Sequence, residues 1–231
     1  MSKNNSIKSN PLFKNTLSNT RSWFQAWLNC FDPGDAGIWQ FDDVEIPYYT
    51  GKASIFGVSV PAAFSATNSH TPRYDVIGEV KNSNGILAKL LDDLGVAFVE
   101  LSGLSQNSYI MQNKVNLAKN VLYSVDTIEY APYIDTTNTW DHYWQSIGSS
   151  RRELGRRERK FFEKENSRFV CLSNWEEISP IFDDVLKIEA SGWKGKQGSA
   201  IIQNPDVYKF YRRLAENWSE NGYLRLFLLY R

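Results

Sequence analysis

The sequence predicts a mixed α/β (α+β) fold, and three observations support this prediction. Strand-like and helix-like stretches alternate through the first half of the chain. Two helices in the second half carry clear start and stop signals. An apolar stretch at 223–230, YLRLFLLY, follows them and predicts a buried strand. With 231 residues, of which 42% are hydrophobic, the chain can bury a sizeable core.

The alternation in the first half begins with a helix. Trp23, Trp27 and Phe31 recur at helical spacing and predict a short amphipathic helix. β-Rich pieces broken by Gly, Pro and Asp then predict short strands over 38–60. The remaining predicted elements are a helix beginning near Ile86 and ended by Gly95, a buried strand at VAFVEL (96–101), a helix within 105–119 and β-rich sequence at 121–130.

The second half is predicted to contain four helices. Aromatic residues of NTWDHYWQSIG (138–148) have the spacing of a core-facing helix. Ser150, followed three residues later by Glu153, forms a capping pair that predicts the start of the next helix. The two clearest helices have Ser179 and Asn204 as caps, Pro180 and Pro205 at their first positions, and Gly192 and Gly222 after their ends.

Composition and charge narrow the classes of function. Lys plus Arg and Asp plus Glu both total 26, so the net charge favours neither a dedicated nucleic-acid binder nor an acidic, solvating chain. Cys30 and Cys171 are far apart, which indicates reduced thiols in a cytoplasmic protein. His70 and His142 form no cluster of metal ligands, so no metal site is expected. No stretch approaches the ~20 apolar residues of a membrane span, and residues 1–20, rich in Ser, Asn and Lys, predict a disordered tail.

A basic run lies at 149–165, where SSRRELGRRERKFFEKE holds seven basic residues in seventeen positions. Two interpretations of this run remain open. It is either a solvated helix face with Glu153–Arg157 and Arg159–Glu163 pairs, each stabilising the helix by ~0.2–0.5 kcal/mol, or a surface that binds phosphates of a cofactor, a nucleic acid or a membrane. The candidate anion-binding residues form one stripe ~100° wide on the helix and are Arg152, Arg156, Arg159 and Lys160.

A glycine-rich loop, SGWKGKQGSA at 191–200, separates the two clearest helices. Glycines let backbone amides approach a ligand and lysines supply positive charge, as in loops that hold phosphates. The P-loop pattern is absent, because Ser199 and Ala200 follow Gly198 where Lys and Ser or Thr are required. The loop is either a flexible connector with an anchoring Trp or the rim of an acceptor site beside the carboxylate of Glu189.

The order of these parts resembles the CelD-type acetyltransferases of the GNAT superfamily, bacterial proteins linked to cellulose or exopolysaccharide synthesis and related to Fem-type peptidyl transferases. The likeness extends from about residue 20 to the end of the chain. It is most specific in the arginine-rich helix and in E-x-S-G-W-K-G-x-x-G-S-A at 189–200. The resemblance implies a GNAT-like mixed sheet flanked by helices, with a degenerate GNAT-like half at 21–135 followed by the first part of a catalytic GNAT half at 136–231.

The resemblance also implies a chemistry. It leads us to expect acyl transfer from acetyl-CoA or another acyl-CoA to an amine or hydroxyl of a small-molecule or glycan acceptor. The deprotonated acceptor attacks the thioester directly, and backbone amides hold the oxyanion. Glu189 is the candidate base. The residues expected at the acceptor site are Trp193, Lys194, Gly195, Gln197 and Gly198.

One part of the family pattern is missing from the chain. GNAT proteins hold the CoA diphosphate on backbone amides of an R/Q-x-x-G-x-G/A turn that begins a helix. Arg152 and Gly155 start such a pattern, but Arg157 stands where a small residue is needed. The turn is expected after the strand at 223–230. We therefore expect a truncated protein whose activity on its own is an open question and whose exposed C-terminal strand favours self-association.

Two other classes of function compete with acyl transfer. A non-catalytic binding module would use helix 150–165 on a nucleic acid or an anionic glycan. The balanced charge and the lack of a base-stacking motif count against nucleic acid. A hydrolase with a catalytic triad has no support, because G-x-S-x-G does not occur and neither histidine lies in a recognisable arrangement.

Overall fold

The computed structural model of the protein describes residues 16–31, 33–80, 84–130, 132, 134–164 and 166–230. Residues 1–15 of the predicted tail lie outside the described residues, and Leu17–Asn19 form a 3₁₀ turn. The described residues divide into two compact units. Unit 1 comprises those of 1–124 and 186–214, and unit 2 comprises those of 125–185 and 215–231.

Unit 1 contains a mixed five-stranded sheet, which confirms the predicted fold class. Its strands are β1 (Ala36–Phe41), β2 (Val44–Ile55), β3 (Val58–Ser65), β4 (Ile77–Gly78) and β5 (Phe98–Glu100). The first three pair antiparallel in chain order, β4 pairs with β2, and β5 lies parallel to β3. A two-residue turn joins β2 to β3, and both of its residues, Phe56 and Gly57, have the positive φ that suits the twist of a hairpin.

The described residues form nine α-helices. Those of the first half are α1 (Arg21–Phe31), α2 (Ile86–Leu94) and α3 (Tyr109–Leu117). Those of the second half are α4 (Trp140–Ser146), α5 (Ser149–Phe162), α6 (Trp175–Ile178), α7 (Phe182–Ala190), α8 (Trp193–Lys196) and α9 (Pro205–Glu220). In unit 2, β6 (Arg168–Leu172) and β7 (Leu226–Tyr230) pair antiparallel. None of these helices has both the length and the apolar character to cross a membrane.

The core of unit 1 is largely aromatic. Trp23 and Trp27 of α1 are buried, and α9 contributes Phe210, which is 0% exposed. The ring of Phe210 meets Trp23 edge to face, with 5.0 Å between centroids, and lies 5.1 Å from the ring of Phe31. The helical spacing that predicted α1 therefore reflects a buried face that packs against α9.

The predicted end of α2 and start of α9 are confirmed. Gly95 follows α2 with a φ of 63°, the left-handed conformation that commonly ends a helix. Asn204 caps α9, because its side-chain oxygen accepts from the amides of Asp206 and Val207 at 3.0 and 3.2 Å. Pro205 is the first residue of α9, as predicted.

The predicted capping pair of Ser150 and Glu153 is wrong. Helix α5 begins at Ser149, so Ser150 lies within its first turn. The Glu153 carboxylate instead pairs with Arg156 and Arg157, each at 2.7 Å. Two arginine charges one turn further along the helix compete with a neutral backbone amide for the same carboxylate.

The predicted start of the helix at Ser179 is also wrong. Helical backbone begins earlier, at Trp175, and continues through the 3₁₀ turn Ser179–Ile181 into α7. Pro180 is accommodated because it lies at the start of that turn, where its missing N–H removes no necessary hydrogen bond. Ser179 is therefore an internal residue of a longer helical segment.

Several stretches differ from their predicted burial or predicted extended conformation. Helix α4 has no buried residue, and Trp140 is 66% exposed. No strand forms at 121–130, where Leu122 is 99% exposed. Phe227 of β7 is 60% exposed, and β5 is only partly buried. Apolar residues become buried only where another element covers them. Among the described residues, β7 pairs with β6 alone, which leaves its apolar side chains exposed.

Candidate functional site

The glycine-rich loop of unit 1 is shaped by two of its glycines. A Cβ atom on Gly195 would overlap with the backbone carbonyl of Ala190. Gly198 has a φ of 73°, which a glycine adopts without strain. The side-chain amide of Gln203 donates to the carbonyl of Gly195 at 3.1 Å, and the amide of Ser199 donates to the carbonyl of Lys194 at 2.9 Å. The loop thus has a defined conformation around α8.

This conformation brings together Glu189 and Lys194, two of the predicted site residues. Nζ of Lys194 lies 2.9 Å from Oε1 of Glu189. The amide of Ile201 donates to the other carboxylate oxygen, Oε2, at 3.1 Å. The hydrogen bond with Glu189 raises the pKa of Lys194 above its ordinary value. The carboxylate of the predicted base is therefore held by the Lys194 cation at Oε1, a buried atom without a well-directed hydrogen bond, and by the Ile201 amide at Oε2.

His70 and Tyr211 lie in the same cluster, and the sequence analysis did not connect them. Nδ1 of His70 lies 3.3 Å from the hydroxyl oxygen of Tyr211, whose ring meets the imidazole edge to face. The imidazole stacks on Phe31, with an angle of 6° between the planes. The backbone amide of His70 donates to Oδ1 of Asn68 at 2.9 Å. The imidazole is thus oriented by contacts with its ring and with its backbone.

Burial and the charges of the Glu189–Lys194 pair shift the pKa values of both His70 and Tyr211. Burial lowers the pKa of His70 below its usual 6.5, the positive charge of Lys194 lowers it further, and Glu189 acts in the opposite direction. Burial raises the pKa of Tyr211, with Lys194 opposing this shift and Glu189 adding to it. At neutral pH, His70 is therefore uncharged and Tyr211 keeps its proton.

The other predicted loop residues are open to solvent. Trp193 is 64% exposed, and Gln197 and Gly198 are also exposed. Gly195 is half-buried against Ala190. The structure therefore brings Lys194 into contact with Glu189 and leaves the Trp193 indole free to meet a ligand.

The predicted anion-binding residues lie on α5 in unit 2. Arg156 shares the Glu153 carboxylate with Arg157, which confirms the predicted Glu153–Arg157 pair. The predicted Arg159–Glu163 pair is not formed. Across the described residues, no acidic group pairs with Arg152, Arg159 or Lys160, and all three are exposed. Helix α5 therefore has arginines paired with Glu153 as well as basic residues that have no acidic partner in the described part of the chain.

The starts of α3, α5 and α9 do not fit the diphosphate of an acyl-CoA, because amides in their first turns already have acceptors. The first amides of α9 are taken by Asn204, and those of α3 are taken by Asp75 and Ser108. The stretch most similar to the GNAT turn runs from Gln145 to Ser150 at the start of α5, where Ser150 stands in place of the final Gly or Ala. There the amide of Ser150 already donates to the carbonyl of Ile147, at 3.1 Å.

In the described ranges, no His, Cys, Asp and Glu residues form a group that could hold a metal ion.

Comparison with known protein families supports the acetyltransferase resemblance for part of the chain. Residues 148–231 match a family model described as an acetyltransferase (GNAT) domain. The matched range contains α5, the glycine-rich loop and both strands of the two-stranded sheet. Neither the curated proteins nor the solved structures yielded a match. From residue 148 onward, the chain is therefore similar to the GNAT acetyltransferases.

Proposed function

We propose that the protein is an acyltransferase of the GNAT type, which transfers an acyl group from an acyl-CoA thioester to an amine or hydroxyl acceptor. The observation that carries this proposal is the family match over 148–231. The cluster of Glu189, Lys194, His70 and Tyr211 supports it, because acyl transfer requires groups that hold and move protons. The resemblance to CelD-type proteins extends the proposal to acceptors of polysaccharide or cell-envelope metabolism.

The acceptor is proposed to bind at the glycine-rich loop. The exposed Trp193 indole offers a flat apolar surface for the body of an acceptor, and its N–H offers a donor. Gln197 adds an exposed amide, and Lys194 adds a cation whose charge Glu189 balances. Gly195 and Gly198 contribute through backbone conformation, since one packs against Ala190 and the other has a positive φ.

The test measures product formation with two acyl donors, acetyl-CoA and S-acetyl-N-acetylcysteamine. The second is a short thioester without a nucleotide, so it does not need a diphosphate site. Ethanolamine offers the acceptor both an amine and a hydroxyl, and mass spectrometry identifies the acylated atom. Turnover of either donor above the rate without protein supports the proposal. No turnover of either donor would count against acyl transfer by this chain.

Two tryptophans provide a matched pair of variants for the acceptor site. Trp193 and Trp140 are 64% and 66% exposed, and both lie at the start of short helices. Trp193→Ala is expected to raise the KM for the acceptor without changing stability. Trp140→Ala, outside the loop, should leave that KM unchanged. Equal effects of the two substitutions would remove the loop from the acceptor site.

A second candidate function uses the free charges of α5. Arg152 and Arg159 are exposed and, within the described part of the chain, lack an acidic partner. We propose that they contact phosphates or other anionic groups of a ligand, because their field is not locally compensated. Replacing both by Gln should weaken salt-dependent retention on heparin. Arg157→Gln serves as the control, since Glu153 already neutralises that arginine. Unchanged retention of the double variant would identify α5 as a solvated face.

A further inference from the structure

We infer that His70 is the general base of the proposed acyl transfer, with Nε2 taking the proton of the attacking acceptor and Tyr211 holding the ring. The inference rests on the proposed function and names a residue outside the matched range 148–231. It replaces Glu189 as the candidate base, because that carboxylate is ion-paired with Lys194 and its Oε2 accepts from the Ile201 amide, whereas Nε2 of His70 has neither kind of partner among the described residues.

The orientation of the ring leaves one nitrogen free. Nδ1 faces the Tyr211 hydroxyl at 3.3 Å. Nε2 has no hydrogen-bond partner among the described residues. It is also absent from the buried polar atoms that lack a partner, which indicates that solvent can reach it. The stacked ring of Phe31 and the edge-to-face ring of Tyr211 restrict rotation of the imidazole. A base whose ring is oriented by a second group, as His70 is by Tyr211, is typical of proton transfer in acyl chemistry.

The charges around His70 suit a base that works at neutral pH. Lys194 disfavours the imidazolium, which keeps the ring free to accept a proton. The negative charge of Glu189 has the opposite effect on the pKa of His70 and stabilises the imidazolium that forms during the reaction. Tyr211, the third titratable group that faces the ring, stays protonated and neutral near pH 7. A general base is most effective when its pKa lies near the working pH.

The step balances as follows. The acceptor nitrogen attacks the carbonyl carbon of an acyl thioester, a C–N bond forms, and the C–S bond breaks. The proton lost by nitrogen moves to Nε2 of His70. The imidazolium then returns it to the departing sulfur or to water. The overall change is thioester plus amine to amide plus thiol. The step requires the tautomer in which Nδ1–H donates to the Tyr211 oxygen and Nε2 carries the lone pair.

The chain contains two histidines, which gives the experiment an internal control. His70→Gln and His142→Gln are compared with the unaltered chain, using S-acetyl-N-acetylcysteamine and ethanolamine. His142 is exposed on α4 and outside the cluster. We expect His70→Gln to lower kcat by roughly 100-fold or more and to abolish the inflection that His70 gives the pH–rate profile, while His142→Gln changes neither. Tyr211→Phe, a change in the positioning residue, should lower kcat with little effect on the KM for ethanolamine.

The tautomer of His70 provides a readout that does not depend on turnover. Two-bond ¹H–¹⁵N correlation spectra distinguish Nδ1–H from Nε2–H imidazole, and the His142→Gln variant assigns the two sets of signals. The Nδ1–H form at pH 7.5 supports the inference, and the Nε2–H form overturns it even if His70→Gln does not fold. Turnover that does not depend on His70 overturns the inference alone. Absence of turnover in the unaltered chain overturns the proposed function and, with it, this inference.

Discussion

Phe210 is the residue at which helix α9 meets the aromatic face of α1, and Phe210→Ala tests the packing of unit 1. The ring is 0% exposed. Its centroid lies 5.0 Å from that of Trp23, 5.1 Å from that of Phe31 and 5.5 Å from that of Tyr211. Truncation to Ala removes all three ring contacts at once. It leaves a cavity between α1 and α9, in which the contacting residues Phe31 and Phe210 are 179 positions apart in the chain.

The expected loss of stability follows from this burial. Replacing a fully buried Phe by Ala costs about 3–5 kcal/mol, from lost transfer free energy and the residual cavity. The edge-to-face contact with Trp23 places the expected value in the upper half of that range, since such pairs contribute ~0.5–1.5 kcal/mol beyond area burial. A loss of about 4 kcal/mol is a large share of the ~5–15 kcal/mol that stabilises a domain.

Urea unfolding monitored by tryptophan fluorescence measures the effect. With an m value of about 2–3 kcal/mol/M, a loss of about 4 kcal/mol moves the midpoint by roughly 1.5–2 M. Phe56→Ala is the matched control, because Phe56 is fully exposed in the turn after β2 and its truncation should change stability by less than about 0.5 kcal/mol. A Phe210→Ala midpoint within 0.5 M of that of the control, taken as roughly 1 kcal/mol, would refute the packing described for α1 and α9.

Three further predictions concern individual groups. Asn204→Ala should destabilise the protein by about 0.5–2 kcal/mol in urea unfolding, because two amides of α9 lose their acceptor; an unchanged midpoint would contradict the cap. Tyr74→Phe should cost about 0.5–1.5 kcal/mol, because the buried Tyr74 hydroxyl donates to the Pro47 carbonyl at 2.6 Å, while the Ala66 amide remains a second donor to that carbonyl at 3.2 Å; equal stability of the two proteins would contradict a stabilising role of the hydroxyl. Because the pKa of His70 is lowered in the folded state, the unfolded state takes up its proton first as the pH falls. Stability should therefore decrease from about pH 7 to pH 5 more steeply in the unaltered chain than in His70→Gln, and parallel curves from denaturation at each pH would contradict the shift.

Local signals predicted several elements of the fold correctly. The spacing of Trp23, Trp27 and Phe31 predicted α1, and Asn204 with Pro205 predicted the first residue of α9. Each of these signals depends only on residues within one or two helical turns, so the sequence alone contains all the residues that produce it. The Ser150–Glu153 pair shows the limit of such signals, because nearby arginines compete for the same carboxylate.

Burial was predicted less well than helical or extended conformation. The aromatic residues of α4 have core-like spacing, yet Trp140 and Trp144 stack on each other at 5.5 Å and no residue of α4 is buried. The apolar residues of β7 likewise remain exposed beside β6. Spacing indicates which residues share one side of an element, whereas burial depends on whether another element covers that side.

The candidate site was only partly predictable for the same reason. Glu189, near the end of α7, and Lys194, in the glycine-rich loop, are close in the sequence, so their residue types and spacing could indicate a shared site. No local motif marks His70, because Tyr211, whose hydroxyl faces Nδ1 of the imidazole, lies 141 positions away in the chain.

The sequence by itself determined the end of α2, the cap of α9, the buried face of α1, the glycine positions of the 191–200 loop and the similarity of residues 148–231 to GNAT acetyltransferases. All of these depend on short-range order of residues along the chain. Only the tertiary structure decided that His70 lies beside Tyr211, with the charges of Lys194 and Glu189 acting on it. Proton affinity depends on burial and on neighbouring charges, and residues distant in the chain supply both only after it has folded.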